Sequence, residues 1–151
     1  MTSNGSGGGL GHGYYFEDLC VGMEASYAKK ITNEDVLGFA DLSGDVNPVH
    51  LSDDFAAGTI FKKRIAHGFL TGSLFSTVLG TKLPGPGCIY LSQSLKFRAP
   101  VHIGDEVVAT GKIMSLDPEK GRAVLAMQAA VNGKSVLDGE AVMMVPRRER
   151  A

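Results

Sequence analysis

The six residues Asp45-Val46-Asn47-Pro48-Val49-His50 place a carboxylate and an imidazole five positions apart, with a proline between them. Proline fixes its own φ and pushes Asn47 toward an extended conformation, so we expect a stiff bend. A carboxylate and an imidazole held together can bind one water molecule and share the proton transfers that add it to a double bond. The Asn47 amide donates and accepts, so it can orient the water or His50. The same spacing also fits an ordinary turn that Asp45 caps.

A second candidate group, His67-Gly68, begins a long apolar segment. The first backbone N–H groups of a helix have no partner within the helix and lie at the positive end of its dipole. Because glycine has no side chain, a thioester carbonyl oxygen can approach the Gly68 N–H, as in an oxyanion hole. The other interpretation is a glycine selected for close packing alone.

Other chemistry has weaker support in the sequence. Asp45, His50 and His67 are residue types that bind Zn or Fe, but no paired spacing such as H-x₃-H occurs, and we predict no metal. No serine or cysteine lies in an elbow or triad motif, so we predict no nucleophilic catalysis. The basic run Lys62-Lys63-Arg64 either meets phosphates of a cofactor-like substrate or is simply solvated.

The segment 66–80 must position these groups. Between Arg64 and Lys82 the only titratable side chain is His67, and apolar residues occur on every side of the helical wheel. We therefore predict a helix without a solvent face, enclosed by its own domain. It is shorter than the roughly 20 apolar residues that span a bilayer, so we predict no membrane association.

The remaining pattern indicates one antiparallel sheet. We predict a strand over 23–31, a helix over 33–42 and a short helix over 53–57. Alternation predicts a strand with one face in the core over 89–97, then strands over 106–114, 123–131 and 135–145. Hairpin turns are predicted at 117–121 and 132–133. This order predicts an α+β fold, a bent antiparallel sheet wrapped around a long apolar helix, with a dimer covering what stays open.

Composition favours one ordinary domain. The chain has 151 residues, 44% hydrophobic and 21% charged. We divide it into a flexible Gly-rich tail (1–13), a folded domain (14–146) and a charged tail (147–151). Fifteen Lys plus Arg against 16 Asp plus Glu do not indicate nucleic acid. Two isolated cysteines, and no Lys or Arg in the first 28 residues, predict a cytoplasmic protein.

The combination Asp45-x-Asn47-Pro48-x-His50 and Ile65-Ala66-His67-Gly68 resembles the hydratase-2 motif of the MaoC-like (R)-specific enoyl-CoA hydratases. Segments 89–97 and 101–107 extend the resemblance, which covers 16–146. It is strongest to short, single-domain members that supply (R)-3-hydroxyacyl-CoA for polyhydroxyalkanoate synthesis. The resemblance implies a hot-dog fold, a homodimer, and reversible syn hydration of trans-2-enoyl-CoA to (R)-3-hydroxyacyl-CoA. Coenzyme A is then part of the substrate, and no cofactor is implied.

The resemblance also implies residue roles. Asp45 and His50 hold and activate the water as a pair that titrates jointly. The backbone N–H of Gly68 stabilises the enolate-like thioester oxygen. The resemblance also implies that Asn47 supports the geometry of the pair and that Ser76 lines the site. We expect Asn47, His67, Ser76 and Leu79 to bind the substrate. Three alternatives stay open: a hot-dog acyl-CoA thioesterase, a non-catalytic module that binds acyl chains or partner proteins, and a dehydratase acting on acyl-carrier-protein thioesters.

Overall fold

A six-stranded antiparallel sheet is the largest element of the protein, in a computed structural model that describes residues 11–148. Its strands are β1 (Glu24–Lys30), β2 (Ile89–Gln93), β3 (Lys96–Phe97), β4 (Glu106–Asp117), β5 (Arg122–Val131) and β6 (Lys134–Met144). They lie in the order β1-β4-β5-β6-β2, and β3 also pairs with β6. The strands predicted over 23–31, 106–114, 123–131 and 135–145 are confirmed. The β5–β6 turn is confirmed too, with Asn132 and Gly133 both at positive φ (52° and 79°).

The long helix α4 (Gly68–Thr81) packs on the inner face of this sheet. Its core side chains are Leu70, Leu74, Phe75, Val78 and Leu79. Burying each one contributes about 1.5–3 kcal/mol, so packing rather than helix propensity holds α4 in place. The α+β prediction is confirmed.

One expectation about α4 is wrong, because the helix has a solvent face in the single chain. Phe69 is 66% exposed, and Ser73, Ser76 and Gly80 follow on the same side. These positions recur at helical spacing, so they form one stripe. The sheet covers only one side of the helix, and apolar residues around the whole wheel did not indicate which side would stay open.

A 3-10 helix (Phe16–Asp18) and three shorter α-helices precede α4: α1 (Asn33–Ser43), α2 (Pro48–Leu51) and α3 (Asp53–Ala57). A capping box begins α1: the Asp35 N–H donates to Thr32 Oγ1 (3.1 Å) and the Thr32 N–H donates to Asp35 Oδ2 (2.9 Å). The predictions of α1 and α3 are confirmed. The structure adds α2, which the sequence analysis described only as a bend.

The predicted single strand over 89–97 with one face in the core is wrong. It is split into β2 and β3, and a bulge lies between Tyr90 and Ser92. A bulge interrupts the two-residue alternation, so apolar positions no longer share one buried face. Ile89, Leu91 and Phe97 are 54%, 40% and 53% exposed in the single chain.

The ends of the described chain contact the domain. The buried Gly13 donates its N–H to the Pro86 carbonyl (2.7 Å), and Arg148 forms an ion pair with Asp18 (2.6 Å). The rest of the predicted tails, 1–10 and 149–151, lies outside the described residues, and the domain limits stay predictions. Across 11–148, no helix has both the length and the hydropathy required to cross a membrane.

Candidate active site

The bend before α2 is built by Asn47 and Pro48. The Asn47 Oδ1 atom accepts from the Val49 N–H (3.1 Å), and the Asn47 N–H donates to Asp45 Oδ1 (3.2 Å). Pro48 occupies the first helical position, where its missing N–H is not needed. This local geometry carries the chain from Asp45 into the single turn of α2, which places His50 in the interior. The structure thus places Asn47 as a cap that holds the carboxylate and the imidazole in position.

His50 is held as a neutral imidazole with a fixed orientation. Its Nδ1 donates to the Ile65 carbonyl at 2.8 Å, and a carbonyl can only accept, so Nε2 is the nitrogen left to take a proton. Burial lowers the pKa of His50 below its ordinary value of 6.5. The bond to Ile65 and the Asp45 charge act in the opposite direction, while His67 lowers this pKa further.

His67 lies behind this pair and is only 2% exposed. Its Nε2 donates to the Asp45 carbonyl at 2.9 Å, and its ring stacks on His50 with 3.9 Å between centroids. Phe39 packs on it at 4.8 Å. Its buried Nδ1 has no hydrogen-bond partner in the described part of the chain. The structure therefore places His67 as a support for Asp45 and His50, away from the pocket wall where a substrate-binding residue was expected.

We call Asp45, His50 and His67 the polar corner. One possible ligand atom from each lies within 4.8 Å of the others. A single water molecule can bridge atoms up to about 5.5 Å apart, twice an ordinary hydrogen-bond length. The polar corner is thus of the right size to hold one water, as the acid–base interpretation requires.

The polar corner is also the group of side chains that would hold a metal. A zinc ion bound to an imidazole lies about 2.0–2.1 Å from the nitrogen, in the plane of the ring and along the nitrogen lone pair. The His50 and His67 rings stack with only 26° between their planes, so their nitrogen lone pairs do not converge on one point. This geometry favours water activation over a metal site.

A pocket of about 350 Å³ lies beside the polar corner. Residues that line it include His50, Phe61, Ile65, Gly68, Thr71 and Phe97. Within 11–148, the Gly68 N–H makes no hydrogen bond at the positive end of the α4 dipole. A Cβ atom at Gly68 would lie 2.5 Å from the Phe97 ring, so a side chain does not fit there. His50 and an unpaired helix N-terminus therefore meet at one pocket.

Ser76 and Leu79 are not among the residues that line this pocket. Ser76 is on the exposed stripe of α4, and Leu79 is fully buried in the core. At about 1.5 Å per residue they lie roughly 12 Å and 16 Å along the helix from Gly68. The expected substrate contacts at these two positions stay predictions.

Two parts of the site have no signal in the sequence. Arg64 donates from Nε to the His50 carbonyl (2.7 Å) and from Nη2 to Asn33 Oδ1 (2.8 Å), so it ties α1 to α2. Its place in a basic run gave no sign of this structural use. Phe97 closes the pocket over Gly68, although the two residues are far apart in sequence, and no local signal relates them.

An antiparallel sheet packed against one long helix, with a carboxylate–imidazole pair beside the N-terminus of that helix, defines a hot-dog enzyme of the hydratase and dehydratase class. Residues 21–134 match the family described as the MaoC like domain, and the chain belongs to this family. The predicted resemblance is confirmed.

Named relatives extend over most of the chain. It is 54% identical over 137 residues to the 3-hydroxybutyryl-CoA dehydratase of Methylorubrum extorquens strain AM1, covering 91% of this chain and 87% of that one. The chain is 53% identical over 135 residues to an (R)-specific enoyl-CoA hydratase of Rhodospirillum rubrum, covering 89% of this chain and 94% of that one. The solved (R)-hydratase from A. caviae involved in PHA biosynthesis has a TM-score of 0.84 and 44% identity (86% and 99%).

Proposed function

We propose that this protein catalyses the reversible hydration of trans-2-enoyl-CoA to (R)-3-hydroxyacyl-CoA, as a hydro-lyase. The observation that carries the proposal is the polar corner, whose His50 lines the same pocket as Gly68. The (R) configuration and the CoA thioester are supported by the names of the relatives in Rhodospirillum rubrum and A. caviae.

The first half of the reaction is attack by water. Asp45 and His50 hold the water, and one of them removes a proton while the oxygen forms a bond to C3 of the enoyl group. The C2=C3 electron pair moves into the thioester, and the Gly68 N–H donates to the negative oxygen. Acid–base catalysis of this kind contributes about 10²–10⁴-fold to the rate, and one oxyanion donor about 10²–10³-fold.

The second half is protonation of C2. The Asp45–His50 pair returns one proton to C2, so the elements of one water molecule are added and the pair regains its starting charge. Because one pair serves both carbons, hydrogen and hydroxyl arrive on the same face of the double bond. Dehydration follows the same steps in reverse. Asp45 and His50 act as one unit in this scheme, and their pKa values belong to the pair.

We propose that two copies pair into a homodimer through a surface that we call the apolar edge, made of Phe69, Ile89, Leu91 and Phe97. These side chains are exposed in the single chain, and the Phe69 and Phe97 rings are 6.1 Å apart. Among the described strands, β2 is at one end of the sheet order, so one side of its backbone is available for pairing. A second copy would cover both features at once.

The proposed reaction consumes only water and the CoA thioester, and it needs neither a cofactor nor a metal. Dialysis against a chelator is therefore expected to leave the rate unchanged. We place the protein in the cytoplasm, which the unpaired thiols of Cys20 and Cys88 support. Its product is then available as a precursor for polyhydroxyalkanoate synthesis.

Crotonyl-CoA tests the proposal directly. Hydration removes the enoyl absorbance without releasing a thiol, and chiral analysis of the product gives (R)-3-hydroxybutyryl-CoA. Release of free CoA would instead identify a thioesterase, and binding without turnover a non-catalytic module. Hydration of crotonyl-acyl-carrier protein with far higher kcat/KM than crotonyl-CoA would identify the carrier-protein dehydratase.

A further inference from the structure

A second pocket, of about 300 Å³, lies next to the active-site pocket. It is lined by Asp53, Lys62, Lys63, Arg64, His102 and Ile103. Three of these side chains are cationic and one is a carboxylate. We call it the basic pocket.

The positive charge in the basic pocket exceeds the negative charge of the one carboxylate that lines it. In the part of the chain that the structure describes, the ion pairs involve Lys29, Arg98 and Arg148, and neither Lys62 nor Lys63 takes part. The Arg64 guanidinium donates only to uncharged oxygens. Asp53 is the single lining carboxylate, so the pocket keeps an excess of positive charge and suits an anion.

The backbone at Lys62 adds a second observation. Its φ is +68°, and its N–H donates to the Thr59 carbonyl (3.2 Å). Glycine and asparagine adopt this left-handed conformation more easily than lysine does. Strained residues of this kind concentrate at functional sites, which is consistent with a use for the Lys62 ammonium group.

The basic pocket adjoins the active-site pocket along two paired segments. Phe61, Ile65 and Ala66 line the active-site pocket, and residues 62–64 between them line the basic pocket. On the opposite segment, 99–101 line the first pocket and 102–103 the second. A hydrogen bond from the Ala66 N–H to the Val101 carbonyl (2.7 Å) joins the two segments. Residue 64 lines the basic pocket and residue 66 lines the active-site pocket, and the chain between them spans at most about 7 Å. A ligand with a reactive end and a charged end can therefore reach both pockets.

We propose that the basic pocket binds the phosphate groups at the nucleotide end of coenzyme A while the enoyl thioester lies in the active-site pocket. This inference rests on the proposed function and names the residues that recognise the carrier half of its substrate. Lysine ammonium groups bind phosphates as compact point charges, and such contacts weaken as salt concentration rises. Lys62 and Lys63 supply them, and Arg64 holds the segment through His50 and Asn33.

The test compares two substrates with the same acyl group and thiol arm. Crotonyl-CoA carries the phosphates, whereas crotonyl-pantetheine carries none. In the double variant Lys62→Asn/Lys63→Gln, asparagine keeps the left-handed backbone while both charges are removed. We expect KM for crotonyl-CoA to rise about tenfold and to lose most of its salt dependence, because two charge-assisted contacts disappear. We expect kcat/KM for crotonyl-pantetheine to stay within about twofold.

Two single variants sharpen the result. Asp53→Asn removes the lining carboxylate, and we expect a lower KM for crotonyl-CoA by about twofold. Lys120→Gln is the matched control: it lies in the β4–β5 hairpin, beyond the far end of the 12-residue β4. That strand is about 36 Å long, and we expect the control to leave both substrates unaffected.

Several outcomes would overturn the inference. Equal loss with both substrates would show that the lysines only support the fold, and no change with either would show that they contact nothing. Weaker turnover of crotonyl-acyl-carrier protein, with crotonyl-CoA unchanged, would assign the pocket to a carrier protein. If the unaltered enzyme hydrates neither small substrate, the proposed function fails. Calorimetry then tests the basic pocket separately, by comparing the affinities of free coenzyme A and pantetheine for the unaltered protein and the double variant. Weaker binding of coenzyme A by the double variant, with pantetheine unchanged, would support the phosphate contacts.

Discussion

The polar corner and the apolar edge are the two regions on which the proposed function depends, and they are completed in opposite ways. The polar corner is positioned by hydrogen bonds within one chain: Ile65 orients His50, and His67 holds the Asp45 backbone. The apolar edge has exposed Leu91 and Phe97 side chains that this chain does not cover. The proposed water activation thus depends on hydrogen bonds within one chain, whereas the proposed dimer depends on apolar side chains that the single chain leaves exposed. Phe97 also lines the active-site pocket, so Leu91 is the position of the apolar edge at which a variant is expected to leave the polar corner unchanged.

The largest effect is expected from removing either half of the catalytic pair. Asp45→Asn and His50→Ala, each made alone, should lower kcat/KM for crotonyl-CoA by about 10²–10⁴-fold, because neither group can bind and activate the water by itself. Asp41→Asn, an exposed carboxylate on α1, is the matched control and should retain full activity. Near-normal turnover in either single variant would end the idea of one shared unit.

Gly68→Ala should come next, with kcat/KM reduced about 10²-fold. The added methyl would meet the Phe97 ring at 2.5 Å and force it or the helix start to move. Gly72→Ala is the control within α4, since its Cβ would meet Leu95 at an ordinary 3.7 Å. That control should raise stability by about 0.5–1 kcal/mol, measured by thermal unfolding. Equal activity of the two variants would argue against a special role for the helix start.

His67→Phe tests the support behind the pair. Phenylalanine keeps an aromatic ring for stacking but cannot donate to the Asp45 carbonyl. A 1 Å misplacement of a reacting group can lower a rate by about 10²-fold. Because the stacking is kept, we expect a smaller fall in kcat, of about tenfold. His67 also lowers the pKa of His50, so its removal should raise that pKa. The acidic limb of the pH–rate profile should shift to higher pH. An unchanged profile with reduced kcat would assign His67 a purely steric role.

In the unaltered enzyme, this acidic limb is expected below pH 6.5. Burial favours neutral His50, so the protonation that takes the Asp45–His50 pair out of its active charge state requires lower pH than protonation of a free imidazole. The free energy of unfolding changes in the same direction. As pH falls, His50 takes up a proton in the unfolded chain before it does so in the folded protein. The contribution of His50 to stability is therefore complete above pH 6.5 and is lost as pH falls through the pKa of His50 in the folded protein. Activity and the free energy of unfolding can be followed over the same pH range. A limb above 6.5 would contradict the assignment.

The smallest effect on the isolated fold is expected at the apolar edge. Leu91→Lys should convert the proposed dimer to monomer in light scattering, while the stability of the single chain changes by no more than about 0.5 kcal/mol, because the side chain is already exposed. Met114→Lys, an exposed apolar position on β4, is the control and should remain dimeric. A monomeric unaltered protein would remove the proposed homodimer altogether.

The elements that the sequence predicted well are those with a short-range cause. The capping box of Thr32 and Asp35 begins α1, and Asn132-Gly133 makes the β5–β6 turn, because these signals act over two to four residues. The approach of Asp45 to His50 belongs to the same group, since Asn47 and Pro48 lie between them and shape the chain. The motif predicted that these two side chains lie together for this reason.

Only the tertiary structure decided which surfaces meet. The wheel of α4 did not show that Phe69 would stay exposed while Leu79 was buried, and the alternation over 89–97 did not show a bulged strand at the end of the sheet. His67 carries the same side chain as His50, yet one lines the pocket and the other lies behind it. Local sequence determines conformation over a few residues, whereas burial depends on contacts between segments far apart in the chain. The proximity of Asp45 and His50 could therefore be predicted from the sequence, whereas the pocket beside them could not.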